Sequence, residues 1–413
     1  MEFAYDSTWV GSPQGRPLSL SLPLNLDAVP LRGDAVEFFF DNLLPDSTAI
    51  RRRIRDRFGT RSERPFDLLE AIGRDCIGAL QLVPAGTTPT GFARIDVEPI
   101  DDLEVERLLR EAVAPSSLAS GSEFRISLAG AQEKTALTRH AGCWCKPHGA
   151  TPTTHIFKLP LGLVGGQQLD MRDSLENEWL CSRILSAFGL PGVFSQVQQF
   201  GTTRALVVTR FDRALHSSGR YWLRLPQEDF CQATGTPASR KYESDGGPGL
   251  REIAAILQGS ESRERDLETL LRAQLLFWML AATDGHAKNF SIRLLPEGRF
   301  RLTPLYDILS MWPVVGNRAS QIHLKKLRLA MAVRGRTKHY AIDEIHRRHF
   351  NSTAQQCGIG PDMESIIDET VRVTPSVLEV VAAQLPDRFP QRLFDKVANG
   401  LNRSAKQLAS MSG

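Results

Sequence analysis

Apolar and polar residues alternate in short segments through the middle of the chain, whereas helical spacing prevails toward its end. Alternation of this kind predicts strands. They are expected at 124–128, 134–137, 155–160, 205–211 and 222–225. Beyond about residue 230 the pattern is mostly helical. A β-rich segment followed by a helical one predicts an α+β fold rather than alternating α/β units.

Helices are also predicted outside the C-terminal part. The expected ranges are 38–44, 50–54, 65–73 and 173–188. Pro65 at a first helical position and Gly189 after a last one are typical helix boundaries. A further apolar run at 275–280 predicts a buried helix end that anchors the polar loop behind it.

Composition and charge indicate an ordinary globular protein. The 413 residues are 42% hydrophobic and 23% charged, enough for two or three domains. A formal charge of +3 argues against nucleic-acid binding over the whole surface but allows a local basic patch. We expect neither a transmembrane helix nor a signal peptide, because the sequence has no run of 18 apolar residues and no charged-then-apolar start. Six scattered cysteines predict reduced thiols and a cytoplasmic protein.

The segment 283–291, followed by Asp307, carries the strongest chemical signal. Asp284 precedes Asn289 by five positions and Asp307 by 23. Kinase-type phosphotransferases use one carboxylate to orient the attacking hydroxyl, and an amide oxygen and a second carboxylate to hold Mg²⁺ against the nucleotide phosphates. We therefore predict that Asp284 is catalytic and that Asn289 and Asp307 bind Mg²⁺. His286 could be the base instead, but a histidine that stabilises the loop is the better interpretation.

Lys158, in the predicted strand 155–160, is a candidate ligand of the ATP phosphates. An acid on the next helix would be its partner, and Glu178 matches best. Taken alone, a lysine on an edge strand that faces solvent is the commoner case. The order of lysine strand, acidic helix, hinge, Asp-x-x-x-x-Asn and Asp is that of protein kinases, which favours the phosphate-binding role.

The turn at 127–135 is a weaker signal for phosphate binding. Glu133 stands where a Walker A loop has glycine, so the segment is not a Walker A motif. We predict that Ala129, Gly130 and Lys134 cover the phosphates, and a plain hairpin is the alternative.

The segment 226–230 lies between the β-rich and helical parts. In a two-lobed kinase this is where the hinge contacts adenine through backbone groups. The alternative is a helix N-terminus that begins at Pro226, with acidic residues complementing the helix dipole. Spacing alone does not separate the two.

One cluster could bind zinc. It comprises His140, Cys143, Cys145 and His148. The Cys-x-Cys spacing is short for a structural zinc site, and a turn between strands explains the cluster as well.

One region is densely basic, around Arg334, Arg336 and Lys338. These side chains could contact DNA phosphates. A solvated basic face is the alternative, slightly favoured on sequence alone.

Several long motifs together resemble the HipA family, the serine/threonine kinase toxins of bacterial toxin–antitoxin pairs. They read FRISLAGAQEKTAL at 124–137, RLPQED at 224–229, KYESDGGPG at 241–249 and ATDGHAKNF at 282–290, with RPLSLSLPL at 16–24 and DNLLPD at 41–46. The resemblance covers nearly the whole chain.

The resemblance implies a two-lobed fold like that of protein and lipid kinases, with ATP and Mg²⁺ as cofactors. It implies an extra N-terminal subdomain at 1–115, a mixed β N-lobe at 116–228 and an all-helical C-lobe at 229–413. It further assigns catalysis to Asp284, Mg²⁺ binding to Asn289 and Asp307, ATP phosphates to Lys158, the adenine hinge to Glu228 and Phe230, and autophosphorylation to Ser127.

The resemblance also implies a target and partners. Family members phosphorylate a serine of an aminoacyl-tRNA synthetase, typically the glutamyl enzyme, which halts translation and leads to dormancy. A small helix-turn-helix antitoxin neutralises these toxins, and toxin and antitoxin together act as a co-repressor. Operator DNA is therefore an expected partner through that complex. No membrane partner is expected.

The chain departs from the family pattern in two places. The family has a strand hairpin before the segment that begins at Pro17. Only about sixteen residues precede Pro17 in this chain, so part of that family segment is absent. Either the start is misplaced or a separate small protein supplies the missing strands. Phe230 stands where some relatives carry a different apolar residue. This difference should alter the packing on adenine without removing the backbone contacts to adenine.

Two other function classes remain open at this point. One is a DNA-binding co-repressor whose kinase site is secondary or dead, and the other is a small-molecule kinase of similar fold. The intact set of Lys158, Asp284, Asn289 and Asp307 argues against a dead enzyme.

Overall fold

The structure, a computed structural model, describes residues 1–25, 27, 29–87, 90–113, 128–130 and 132–412. The chain forms two compact units that are discontinuous in sequence. The first comprises Met1–Leu159, Ser195–Ser239 and Ser291–Arg299, and the second comprises Pro160–Phe194, Arg240–Phe290 and Phe300–Gly413. The division into three domains at 115 and 228 remains a prediction.

Helices and strands occur in both units, which confirms the α+β class. The strands are β1 Glu2–Phe3, β2 Leu31–Arg32, β3 Val97–Ile100, β4 Lys134–His140, β5 Cys143–Pro147, β6 His155–Lys158, β7 Gly162–Val164, β8 Leu169–Met171, β9 Ser195–Phe200, β10 Thr203–Thr209, β11 Arg213–Leu215, β12 Trp222–Arg224, β13 Gln227–Asp229, β14 Ser291–Leu294, β15 Phe300–Leu302, β16 Arg328–Arg334 and β17 Lys338–Ala341. The helices are α1 Ser7–Val10, α2 Asp34–Asp41, α3 Thr48–Phe58, α4 Pro65–Ile72, α5 Asp102–Val113, α6 Ser174–Ala187, α7 Phe230–Ala233, α8 Leu250–Leu257, α9 Arg263–Met279, α10 Arg347–Gln356, α11 Glu364–Ala382 and α12 Gln391–Ser410.

The first unit is built on a six-stranded antiparallel sheet in the order β3-β5-β4-β6-β10-β9. Aromatic and aliphatic residues from the sheet and from α5 form one core, which includes Trp144, Phe157 and Phe200. β6 is an interior strand, with Lys158 opposite Lys134 of β4 on one side and a residue of β10 on the other. An edge-strand position for Lys158 is therefore wrong.

The helices α2, α3 and α4 form a second core in the first unit, around Phe39, Leu44 and Leu68. Local signals set the ends of α4, as the sequence predicted, whereas α2 and α3 have other bounds than the predicted 38–44 and 50–54. Pro65 occupies the first turn of α4, and Gly73 follows its last residue. Ser47 caps the start of α3, where its side chain accepts a hydrogen bond from the backbone N–H of Ile50.

A buried ionic cluster joins the segment after α4 to the strands that follow. The Asp75 carboxylate accepts hydrogen bonds from Arg210, Arg213 and Arg224 at 3.1–3.4 Å. Asp212 pairs with Arg210 and Arg213 at 2.8 and 2.9 Å. Burial alone would raise the pKa of Asp75, but the guanidinium groups outweigh it and hold that pKa below its ordinary value. Removing any one of these side chains would therefore leave a buried charge without its full compensation.

The second unit contains α6, α8, α9, α10, α11 and α12 and the paired strands β16 and β17. Most of α9 is buried, including Phe277 and Trp278. The predicted all-helical segment 229–413 needs a correction, because β14 to β17 lie within it. The residues of β16 form an almost continuous buried apolar run, which periodicity alone does not distinguish from a helix.

Across the part of the chain that the structure describes, no helix combines the length and the apolar character that a bilayer span requires.

Candidate active site

The loop behind α9 is anchored on buried side chains. Ala281 adopts a positive φ of 50°, which turns the chain out of the helix. The Ser310 hydroxyl donates to the carbonyl of Leu280 at 2.6 Å, and the Trp312 indole donates to the carbonyl of Met279 at 2.9 Å. The polar loop therefore starts from a rigid support, as the apolar run at 275–280 predicted.

Gly285 and His286 shape the loop itself. A Cβ on Gly285 would lie 2.4 Å from a ring carbon of Phe277, so only glycine fits there. The His286 side chain is buried, and burial first of all lowers its pKa to about 4. A neutral, enclosed imidazole packs the loop and is poorly placed to serve a bound substrate as the base.

The structure brings Asp284, Asn289 and Asp307 together. The Asn289 side-chain nitrogen donates to the carbonyl of Asp284 at 2.7 Å and to that of Asp307 at 3.4 Å. This orientation leaves the amide oxygen of Asn289 as the atom that can face a cation. The Asp284 side chain is 60% exposed, as a group that meets a substrate must be.

The oxygen atoms of Asn289 and Asp307 fit a magnesium ion. Asp307 adopts a φ of 61°, a left-handed conformation that aspartate and asparagine tolerate better than most residues. Within the described ranges, no group of three or more His, Cys, Asp and Glu residues could hold a metal. Mg²⁺ needs fewer protein ligands, because it commonly takes one or two side-chain oxygens together with substrate phosphates and water.

Tyr242 completes the surroundings of Asp284, and the sequence patterns did not single it out. Its hydroxyl donates a hydrogen bond to the Asp284 carboxylate, and its ring meets that of His286 edge-on at 5.1 Å. The residue lies in the KYESDGGPG segment at 241–249, which only the family resemblance had marked.

Glu243 changes the interpretation of the basic region. Its buried carboxylate accepts from Arg334 at 2.8 Å, and the ammonium of Lys338 lies 3.1 Å away. The side chain of Arg334 is mostly buried, so a DNA contact or a solvated face is wrong for this residue. Lys338 is partly exposed and Arg336 is exposed, and their predicted DNA contact remains untested.

The predicted phosphate loop is described only in part. Gly130 has a φ of 109°, and a Cβ there would lie 2.7 Å from the ammonium of Lys134. The carbonyl of Gly130 accepts from the backbone N–H of Asp46 at 3.0 Å. Ala129 is half-buried beside it. Ser127 lies outside the described residues, so its predicted phosphorylation remains a prediction.

Lys158 and Glu178 are both largely buried, in β6 and α6 respectively. They belong to different compact units. Their pairing, and the binding of ATP phosphates by Lys158, remain predictions.

The cysteine and histidine cluster sits on the β4–β5 hairpin. Cys143 is exposed and Cys145 is buried, although the two residues lie two positions apart on β5 and therefore on the same face of the strand. Among the residues that the structure describes, no group of three or more His, Cys, Asp and Glu side chains is arranged to hold a metal ion, and this cluster is no exception.

The predicted hinge residues have buried side chains. Phe230 starts α7, and Asp229 caps that helix in a capping box with Gln232. The helix therefore does not begin at Pro226. The Phe230 ring is fully buried, so a direct packing of this side chain on adenine is not what the structure shows. Adenine recognition by the backbone here remains a prediction.

Glu228 has an unexpected internal role. Its fully buried carboxylate bonds to the Ser19 hydroxyl and accepts from the backbone N–H of Leu20 at 2.8 Å. Burial first of all raises its pKa to about 8. The side chain thus links the motif at 16–24 to β13.

Glu228→Gln should flatten the pH dependence of stability. Because the folded-state pKa of Glu228 is raised, the folded chain binds more protons, and wild-type stability should fall as the pH rises from about 4.5 toward 8. One proton contributes a slope of at most about 1.4 kcal/mol per pH unit. Urea unfolding across this range should show a smaller slope for the variant. Glu70→Gln, on an exposed face of α4, is the control, and identical slopes for all three proteins would contradict a buried, proton-binding Glu228.

Two family descriptions match the sequence. The HipA N-terminal domain matches residues 1–83, and the HipA-like C-terminal domain matches residues 126–378.

Individual relatives cover most of the chain. Y4mE of Sinorhizobium fredii is 31% identical over 389 residues, which cover 91% of this chain and 86% of the relative. The serine/threonine-protein kinase toxin HipA of Shewanella oneidensis is 29% identical over 320 residues, which cover 74% of this chain and 69% of the relative.

A solved structure has the same fold. It is that of HipA of Shewanella oneidensis MR-1 in a complex with HipB and its operator DNA. The TM-score is 0.78 at 23% identity, with 99% of this chain and 93% of the other covered. The α+β kinase-like fold is therefore confirmed.

Proposed function

Because the chain belongs to the HipA family of kinase toxins, we propose that it transfers the γ-phosphoryl group of ATP to a serine or threonine hydroxyl. One observation carries the proposal: Asn289 bonds to the backbone of both Asp284 and Asp307. The three residues that we propose as catalytic carboxylate and magnesium ligands thus lie close together, as phosphoryl transfer requires.

Asp284 is the residue that acts on the acceptor. It accepts a hydrogen bond from the incoming hydroxyl, orients the oxygen toward the γ-phosphorus and takes up its proton. The acceptor oxygen forms a bond to this phosphorus while the bond from the phosphorus to the bridging oxygen breaks, and ADP leaves with the electron pair. The rigid anchoring of the loop by Ser310 and Trp312 keeps the carboxylate in position without reorganisation.

Asn289 and Asp307 would hold Mg²⁺ through their side-chain oxygens. A bound Mg²⁺ neutralises charge on the phosphate oxygens. The ATP phosphates themselves would be bound by Lys158, Gly130 and Lys134. The ammonium of Lys134 lies close to Gly130, where it and backbone N–H groups could both donate hydrogen bonds to phosphate oxygens.

The target and the partners follow from the family resemblance. We propose a serine of an aminoacyl-tRNA synthetase, the glutamyl enzyme first, as the acceptor, and arrest of translation as the result. Autophosphorylation of Ser127 would inhibit the kinase. A helix-turn-helix antitoxin is the proposed partner, since the similar Shewanella oneidensis structure contains HipB and operator DNA. Arg336 and Lys338 could then add to the basic surface near that DNA.

Labelled ATP tests the proposed function directly. The purified chain is incubated with Mg²⁺, ATP labelled at the γ-phosphate and a bacterial lysate, with Asp284→Asn as control. A labelled protein band that the control lacks is expected. A labelled metabolite would instead indicate a small-molecule kinase, and retarded operator DNA with no labelling would indicate a co-repressor with a dead site.

Asp307→Asn should raise the magnesium requirement. Asparagine tolerates the left-handed backbone conformation of this position, so the variant should fold, but it removes one negative charge from the site. We expect about a tenfold higher Mg²⁺ concentration at half-maximal phosphate transfer. Asp387→Asn, on an exposed loop, is the control. Superimposable magnesium titrations of variant and wild type would place the metal ligands elsewhere.

A further inference from the structure

Tyr242 occupies the position on Asp284 that an acceptor hydroxyl needs, and we propose that it is a gate for the acceptor. While no acceptor is bound, its phenol keeps the carboxylate from activating water. An incoming serine or threonine hydroxyl then displaces it. The inference rests on the proposed function, because it takes Asp284 as the catalytic carboxylate.

The chemistry of the contact is that of an acceptor. The Tyr242 hydroxyl donates a hydrogen bond to the Asp284 carboxylate, just as a serine hydroxyl would before transfer. Asp284 is 60% exposed with the phenol in place, so the gate acts through the hydrogen bond to the carboxylate and not by shielding it from water. Two contacts hold the phenol side chain over the loop. The Tyr242 ring meets the His286 ring edge-on, and the Lys241 ammonium lies 5.6 Å from the centre of the Tyr242 ring.

The backbone that carries Tyr242 is fixed on its far side. Glu243, the next residue, is buried, accepts from the N–H of Ala332 at 2.7 Å and is ion-paired with Arg334 at 2.8 Å. Because this anchor holds the main chain, the phenol can leave Asp284 by rotation about its own side-chain bonds. A local rotation of this kind needs no movement of the whole loop.

Two glycines show how closely the segment is packed. A Cβ on Gly247 would lie 2.0 Å from the carbonyl oxygen of Arg240, and one on Gly249 would lie 2.3 Å from the carboxyl carbon of Glu243. Gly246 has a φ of 90°, which few other residues adopt. The conformation of the segment is therefore specified in detail, and the result is a defined position for the phenol.

The competing reaction that the gate suppresses is ATP hydrolysis. Water would form the new bond to the γ-phosphorus, the bond from phosphorus to the bridging oxygen would break, and ADP would take the electron pair. The proton of the water would pass to Asp284 and then to solvent. The phenol hinders this reaction because it engages the carboxylate that must accept that proton.

Tyr242→Phe tests the gate, since it removes the hydroxyl and keeps the ring. Phosphate release from Mg-ATP without any protein acceptor should rise about fivefold, the factor that one partly exposed hydrogen bond contributes. With a degenerate library of serine and threonine peptides as acceptor, KM should fall by a similar factor while kcat stays within about twofold. Tyr221→Phe, which removes a phenol beside β12, is the matched control and should change neither quantity.

Other results separate the gate from its alternatives. A lower kcat with unchanged KM would make Tyr242 a residue that positions Asp284, and phosphate on Tyr242 in a mass spectrum would make it an acceptor; either result overturns the gate. Unchanged phosphate release and KM would overturn it as well. If the wild type transfers phosphate to no acceptor at all, the proposed function fails, and the gate fails with it. Thermal unfolding of the variant should match that of the wild type.

Discussion

Asp284→Asn should abolish phosphoryl transfer and leave the fold intact. Asparagine has the shape of aspartate but cannot take up the acceptor proton, and the loss of such a group typically costs about 10²–10⁴ in rate. The side chain is mostly exposed, so its replacement removes little packing. The rate is measured as transfer of the labelled γ-phosphate to lysate proteins. In a host that the wild type arrests, expression of the variant should permit growth.

Two controls make this result specific. Asp387→Asn removes an exposed carboxylate elsewhere and should keep full activity. Thermal unfolding should show that Asp284→Asn is as stable as the wild type. If Asp284→Asn keeps its transfer rate and arrests growth like the wild type, the catalytic assignment is wrong, and His286 would then need to be tested as the base.

Asp75→Ala should be the most damaging substitution for stability. It removes the carboxylate that pairs with the buried guanidinium groups of Arg210, Arg213 and Arg224. Among the residues that the structure describes, the Asp212 carboxylate then remains as the counter-charge of Arg210 and Arg213. Breaking a buried ion pair by removing one partner typically costs about 3–5 kcal/mol. We expect a loss of that size in the free energy of unfolding by urea, monitored by the fluorescence of Trp144 and the other tryptophans.

The pH dependence provides an independent check on Asp75. Because its folded-state pKa is lowered, its contribution to stability is present above the ordinary pKa of aspartate and is lost as the pH falls through the folded-state value. The gap between wild type and Asp75→Ala should therefore narrow in acid. Asp96→Asn, which breaks an exposed ion pair with Arg94, should cost less than about 1 kcal/mol. An equally small cost for Asp75→Ala would mean that the cluster does not hold the first unit together.

Local signals along the chain were sufficient for several elements and for the proximity of Asp284 and Asn289. Proline and glycine at the ends of α4, and glycine after α6, marked helix ends because capping involves residues within one turn of each other. The proximity of Asp284 and Asn289 has a similar cause. They are five positions apart in one loop, and their spacing alone brings the side chain of one to the backbone of the other.

Several contacts of the candidate site and of the buried charges join residues far apart in sequence. Tyr242 meets Asp284 across 42 positions, Arg334 meets Glu243 across 91, and Ser19 meets Glu228 across 209. Such pairs depend on how whole helices and strands pack against one another. No periodicity or spacing in the sequence predicts that packing. The same limit explains why Arg334 resembled a surface cation and Glu228 a ligand-facing residue. Whether a charged side chain is buried and paired or exposed follows from the tertiary structure, because its partner is supplied by a distant part of the chain.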